Sequence, residues 1–233
     1  MTGRSWPWCG SPAIRDHPEV QADVSIIVAL WFGNGRGGTW IGSDTTVCSD
    51  NIRQSFGPKW TVRPPWAIGV AGHLRAANVL FRGADALLQG LSDPDEFALR
   101  ARAHLQADGF HGAADERGPV DLSQIVMLAH PEGVWSIGAD FSVLPVPPGE
   151  LWAEGSGREV ALGAGYALLR AGSGMGGGEI LRRTLEAAIA LDITCGGEAW
   201  TCELTAVSAQ ARPAAAGDRG DARPDPARRK GGA

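Results

Sequence analysis

The chain is poor in several residues that would fix its class at once. It has 4 cysteines in 233 residues, Cys9, Cys48, Cys195 and Cys202, and no two of them form a CxxC pair. That fits free thiols in a reducing, cytoplasmic compartment. No apolar run approaches the ~20 residues that a bilayer-spanning helix needs, so no membrane association is expected. The opening stretch MTGRSWPWCGSPAIRDHPEV has no continuous apolar segment, which argues against a secretory signal. Basic residues are in deficit, with 21 Lys and Arg against 26 Asp and Glu, so the composition does not support a nucleic-acid partner. The histidines, His17, His73, His104, His111 and His130, form no HExxH or paired ligand spacing. No metal and no cofactor is therefore expected. A GxSxG nucleophile elbow and a solenoid-type repeat are also missing.

What is present is enough apolar material for a core: hydrophobic residues make up 44% and charged residues 20%. One domain over residues 24–207 is expected. Residues 1–23 mix Trp, Pro, Gly and charge without periodicity and read as a leader, a propeptide or a misplaced start. Residues 208–233 contain no aliphatic side chain larger than Ala apart from Pro, Arg and Lys, so they read as a disordered tail.

Within the body the patterns alternate in blocks. Ser25–Phe32 (SIIVALWF) reads as a buried strand, and Thr39–Ser43 returns after a glycine-rich turn. Trp60–Arg63 and Trp66–Ala71 continue the sheet. The apolar period through Ala77, Leu80, Phe81, Ala84 and Leu88 predicts one helix over Leu74–Leu88. Asp93, Pro94 and Glu96 supply a cap, a first-turn proline and a capping-box acid. The helix they open has Phe97, Ala101 and Leu105 on one face. Ile125–Ala129 and Val134–Ile137 form a hairpin. Two helices follow, one burying Val160, Ala164, Ala167 and Leu168, the other Leu181, Leu185, Ala188 and Ile189. A last strand covers Ala199–Val207. Hairpins covered by helix pairs argue for α+β, not for alternating βαβ units. The two GxGxxG matches bind no nucleotide on this reading. Gly33–Gly38 leads into a strand, and Gly172–Gly177 links two helices.

Three segments resemble the β-subunit superfamily of the proteasome, and in particular the bacterial HslV peptidase subunits. The first is Ser25-Ile-Ile-Val-Ala-Leu with Ile41-Gly-Ser-Asp44. The second is Gly57-Pro-Lys59 with Ala67-Ile-Gly69-Val-Ala-Gly72. The third is Gly155-Ser156-Gly157, then Tyr166-Ala-Leu-Leu, then Asp192-Ile-Thr-Cys195-Gly196. The resemblance implies a four-layer αββα Ntn-hydrolase sandwich of two mainly antiparallel sheets. It also implies a self-compartmentalising homo-oligomeric ring, a polypeptide substrate and an AAA+ unfoldase ATPase as partner.

Carried onto this chain, the resemblance makes Ser25 the nucleophile and its own α-amine the general base. An α-amine has a reference pKa of about 7.7–8.0, and a nearby ammonium lowers it further. Lys59 would supply that ammonium and Asp44 would hold it. The Gly69 N–H would stabilise the oxyanion. Ser156 and Asp192 would surround the amine, with Cys195 where the family usually has Ser. Ala67, Ala71 and Cys48 would line the substrate pocket, whose small side chains leave room for a large apolar residue. Without the resemblance, Ser25 is a strand-entry serine, Asp44 a turn residue and Lys59 a loop lysine. Gly69 is then a close sheet contact, Ser156 a helix cap and Asp192 a helix end. Ser25 is not first in this sequence, so its amine must be released, by cleavage after Val24 or by a start at a GTG codon for Val24. Two other readings remain open: a small-molecule Ntn amidohydrolase and a catalytically inactive scaffold subunit.

Overall fold

The structure is a computed structural model, and it describes residues 26–33, 38–49, 52–110, 124–172, 174–205 and 209–213. The leader and Ser25 lie outside the described residues, as do Cys9 and most of the first glycine-rich turn. The strands and helices, in chain order, are β1 (Ile26–Trp31), β2 (Thr39–Ser43), β3 (Thr46–Ser49), β4 (Ile52–Ser55), β5 (Trp60–Arg63), β6 (Trp66–Gly72), α1 (Leu74–Arg82), α2 (Ala84–Leu88) and α3 (Pro94–Ala107). There follow β7 (Gln124–His130), β8 (Gly133–Ile137), β9 (Val143–Val146), β10 (Glu150–Gly155), α4 (Arg158–Arg170), α5 (Gly177–Leu191), β11 (Trp200–Leu204) and β12 (Ala209–Pro213).

Two antiparallel sheets result, in the orders β10-β1-β2-β11-β12 and β5-β6-β7-β8-β9, with β3 and β4 as a separate hairpin. Period-two alternation divides each strand between two neighbours. On β1, Ile26, Val28 and Leu30 pack with α4 and α5. Ile27 and Ala29 instead join Ala67, Ala71, Met127 and Ala129 of the other sheet. On β6, Trp66, Ile68 and Val70 pack with α1–α3. The apolar core therefore has three parts, one under each helix group and one between the sheets.

The sheets approach closely at Gly69. A Cβ there would lie 2.9 Å from Ile27 Cγ2 and 3.2 Å from Ile41 Cδ1. Similarly, a Cβ on Gly42 would lie 2.9 Å from Leu185 Cδ1, so α5 packs directly on the β2 backbone.

Most expected elements are found, with four corrections. The Leu74–Leu88 helix breaks at Gly83, whose N–H closes α1 on Val79 O at 3.0 Å. A Cβ at Gly83 would sit 2.3 Å from His104 Nε2, so the break is also where α3 packs in. The buried line of α4 runs through Ala161 and Gly165, while Ala167 is exposed. Gly165 lets the helix rest on Leu151, a contact that a search for large apolar side chains passes over. The β3–β4 hairpin and the strands β9 and β10 carried no clear alternation. Pro145 in β9 is tolerated because β9 is an edge strand. Finally, β12 falls inside the segment read as tail and extends the first sheet beyond β11. The cap of α3 is as expected: Asp93 accepts from the Glu96 N–H at 2.8 Å, with Pro94 in the first turn.

Gly69→Ala should destabilise the fold by about 1–3 kcal/mol, because the added methyl meets a packed Ile27 and not solvent. Urea denaturation of the two proteins measures this, and an unchanged midpoint would contradict the close approach.

Candidate active site

Four separate parts of the chain meet at one buried carboxylate. Asp44 follows β2 and is fully buried. Its Oδ1 accepts from the Ile26 N–H at 3.2 Å and from Lys59 Nζ at 2.5 Å. Its Oδ2 accepts from the Gly196 N–H at 2.9 Å. The carboxylate thus fixes the head of β1, the lysine before β5, and the loop between α5 and β11. A buried charge needs this degree of pairing, since an uncompensated one is costly.

Lys59 is nearly as deeply buried. Its Nζ also donates to Thr46 O, and its backbone N–H donates to Ser43 Oγ at 2.9 Å. Burial drives its pKa below the ordinary lysine value, against the opposing pull of the Asp44 charge and hydrogen bond. The lysine is therefore easier to deprotonate than in water.

The loop after α5 is clamped to the β2–β3 turn. The Thr45 N–H donates to Gly196 O at 3.2 Å, and the Glu198 N–H donates to Thr45 Oγ1 at 3.0 Å. Gly197 has φ +75°, and a Cβ on it would come within 2.1 Å of Thr45 Oγ1, so only glycine fits. Within this loop Asp192 ends α5 and accepts from the Thr194 N–H at 2.8 Å. The Thr194 hydroxyl also bonds the Asp192 carboxylate and lies 2.5 Å from Ser156 Oγ. Burial raises the Asp192 pKa, but the hydrogen bonds from Thr194 and Cys195 outweigh it and leave the pKa below the ordinary value. Thr194 thus links two of the expected site residues. Sequence reasoning passed over it; its position two residues after a helix-ending Asp was the available signal.

Cys195 is fully buried, and its Sγ would lie 2.5 Å from a Cβ placed on Gly157. Burial, together with the charges of Asp44 and Asp192, pushes its thiol up to about 12. It is a neutral thiol at ordinary pH and not a nucleophile. Cys48 Sγ donates to Thr194 O at 3.2 Å.

Gly69 lies inside the sheet, opposite Trp60 on β5 and Met127 on β7. The Val70 N–H donates to Lys59 O at 3.1 Å, so the preceding Gly69 N–H points to the β7 side. Ala67 and Ala71 are buried between the sheets, because the pleat sends them to the same side as Gly69. A cavity of about 130 Å³ opens beside Lys59, and its apolar walls include Val47, Phe56, Val70, Ala77 and Phe81. The pocket beside the lysine is therefore lined by Val70 and not by Ala67 or Ala71. A larger cleft of about 860 Å³, bounded by Trp66, His130 and Trp135, lies at the Pro64-Pro65 turn, the far end of the β5–β6 hairpin from Lys59. Among the described residues there is no cluster of His, Cys, Asp and Glu suited to a metal, and no helix is long and apolar enough to cross a membrane.

No family model matches the chain, and no curated protein does. Solved structures share its fold. Thiobacillus denitrificans BPH is 20% identical, with a TM-score of 0.63 over 77% of this chain and 98% of that one. The same protein in complex with epoxomicin gives 20% identity and a TM-score of 0.60 over 77% and 99%. Eukaryotic HslV from Trypanosoma brucei is 19% identical, with a TM-score of 0.56 over 76% and 97%. The chain spans nearly the whole of each.

Asp44→Asn should cost roughly 3–5 kcal/mol, because it leaves the buried Lys59 ammonium without its counter-charge. A denaturation midpoint within error of the parent would contradict the buried pair. A second expectation concerns alkaline pH. The Cys195 and Cys202 thiols are raised from 9.0 to about 12 and about 11, so the unfolded chain loses these protons first. Their contribution is complete below pH 9 and is lost as pH rises, each ionisation adding about 1.4 kcal/mol per pH unit to the slope. Lys59, with its lowered pKa, acts in the opposite sense below 10.5. Stability should therefore fall above pH 9, less steeply in Cys202→Ala. Denaturation curves from pH 8 to 11 measure the slope.

Proposed function

We propose that the chain is an N-terminal-nucleophile peptidase of the proteasome and HslV kind, with Ser25 as nucleophile. One observation carries the reading. The carboxylate that holds the Lys59 ammonium also holds the Ile26 N–H, the amide next to Ser25 in sequence. The fold shared with HslV and BPH supports it, as does the helix–sheet–sheet–helix order of the three apolar clusters. We read that order as the four-layer αββα sandwich.

The chemistry runs as follows once residues 1–24 are removed and Ser25 is first. The Ser25 hydroxyl attacks the substrate carbonyl, and the Ser25 amine takes the hydroxyl proton. The same amine then protonates the departing amine of the product, leaving an acyl-enzyme ester. Water, deprotonated by the amine, releases the acid product and restores Ser25. Lys59 keeps the amine neutral by repulsion between like charges, and its own lowered pKa marks how little charge the site tolerates. Ser156, Thr194 and Asp192 form a polar chain that orients the amine and the water. Gly69 shapes the contact between the sheets; its N–H points into the β6–β7 ladder and does not serve as the oxyanion donor. Cys195 packs within the site loop, and Cys48, on β3, donates to that loop's Thr194 carbonyl. A cytoplasmic homo-oligomeric ring fed by an AAA+ ATPase is the proposed setting. The apolar cavity beside Lys59 favours cleavage after apolar residues.

A chain beginning at Ser25 should hydrolyse fluorogenic peptides, with apolar residues preferred over acidic ones before the scissile bond. Ser25→Ala in that chain should reduce kcat roughly a thousandfold or more. Equal rates would remove Ser25 from the mechanism and leave a scaffold subunit. An active monomer or dimer in light scattering would favour a small-molecule amidohydrolase.

A further inference from the structure

A second buried carboxylate lies just before the Gly155-Ser156-Gly157 turn. Glu154, on β10, is 4% exposed, and the proposed chemistry does not use it. Its Oε1 accepts from Trp152 Nε1 at 2.7 Å and from Ser136 Oγ, on the opposite sheet, at 3.1 Å. Its Oε2 lies 3.7 Å from Arg158 Nη1, in the first turn of α4. The Arg158 guanidinium in turn lies over the Trp152 ring, 5.7 Å from its centre. Glu154 and Arg158 are the two residues that flank the Gly-Ser-Gly turn, so their ion pair closes across it. The turn itself is built for tight packing. Gly155 has φ +108°, and Gly157 leaves no room for a Cβ beside Cys195 Sγ.

We propose that Glu154 is a positioning residue: with Trp152, Ser136 and Arg158 it forms a clasp that holds the Ser156 turn over Cys195 and against Thr194. The physical case is the asymmetry of buried polar groups. A carboxylate this deep is retained only with its partners: its hydrogen-bond donors come from the neighbouring sheet and from its own strand, and the Arg158 charge faces it from the far side of the turn. The hydrogen bonds to Oε1 do most of the holding, because Arg158 is half exposed and its ion pair is screened. Ser156 can then meet Thr194 Oγ1 at 2.5 Å only while the turn is closed. The catalytic part of this inference rests on the peptidase reading; the clasp itself does not.

The experiment therefore has two readouts. In the full chain, alkylation of Cys195 by iodoacetamide is followed by mass spectrometry, with Cys202 in the same digest as a reporter of global opening. Glu154→Ala should speed Cys195 modification about tenfold and leave Cys202 unchanged. Glu154→Gln keeps an acceptor for Ser136 and Trp152, so it should stay within about twofold of the parent. In the chain beginning at Ser25, Glu154→Ala should lower kcat about tenfold with KM nearly constant, and Glu154→Gln should restore it. Unchanged Cys195 modification in Glu154→Ala would overturn the clasp. Equal acceleration at Cys195 and Cys202, or a Gln variant as impaired as Ala, would reduce Glu154 to a general stability residue and overturn it too. If no variant or parent hydrolyses peptides, the peptidase reading fails while the alkylation result still decides the clasp.

Discussion

The requirement that a charge removed from water be fully paired governs the geometry of this protein. Asp44 has no solvent to turn to, so both of its oxygens must find donors within the chain. The donors it finds belong to β1, to the residue before β5, and to the loop that leaves α5. Those segments are distant in sequence, and the carboxylate brings them to one point. The same constraint gives Lys59 its character, since its burial would be intolerable without Asp44. Structure and chemistry therefore have a common cause: the interaction that ties the two sheets together is the one that places an ammonium beside the first strand.

Around this point the sheets close by subtraction of side chains. Gly69 admits Ile27, Gly42 admits α5, and Gly157 admits the Cys195 thiol. Each contact is a place where the backbone itself is the packing surface, and a methyl group would be felt. The buried carboxylates between the sheets each bring a set of partners, while the Trp31 and Trp60 indole N–H groups are buried there without a hydrogen-bond partner among the described residues. Asp44 with Lys59 is one such set, and Glu154 with Ser136 and Trp152 is another. The first lies at the proposed chemistry, and the second lies beside the turn that carries Ser156.

The sequence shows the larger part of this arrangement because large apolar side chains keep time with the backbone. Ile26 to Leu30, Phe97 with Leu105, and Leu181 with Leu185 each mark a face that is in fact buried. What it hides follows from the same rule. The inward line of α4 is made of Ala161 and Gly165, which carry no hydrophobic signal. The pair Asp44 and Lys59 could be named only through the family resemblance, and nothing in the sequence shows that one oxygen of Asp44 would serve both Lys59 and the Ile26 N–H. Ala67 and Ala71 were legible as small residues on a strand; their side of the pleat was not, and they face the opposite sheet while Val70 faces the cavity. Thr194 stayed silent for a different reason, because a threonine after a helix end is ordinary until its hydroxyl is seen between two others.

The thiol at Cys195 bears on which group can be the nucleophile. A cysteine beside a buried Lys–Asp pair invites a nucleophilic role, since a thiolate attacks carbonyl carbon readily. Here two carboxylates face it and no solvent reaches it, so the thiolate is the form this environment opposes most. Lys59 works in the other direction but is itself committed to Asp44. Burial does most to keep Cys195 protonated, and the acids that add to it are fixed by backbone donors: Gly196 for Asp44, Thr194 for Asp192. Activating the thiol would require dismantling the loop that holds it. A hydroxyl with its own amine needs no such rearrangement, because its base travels with it.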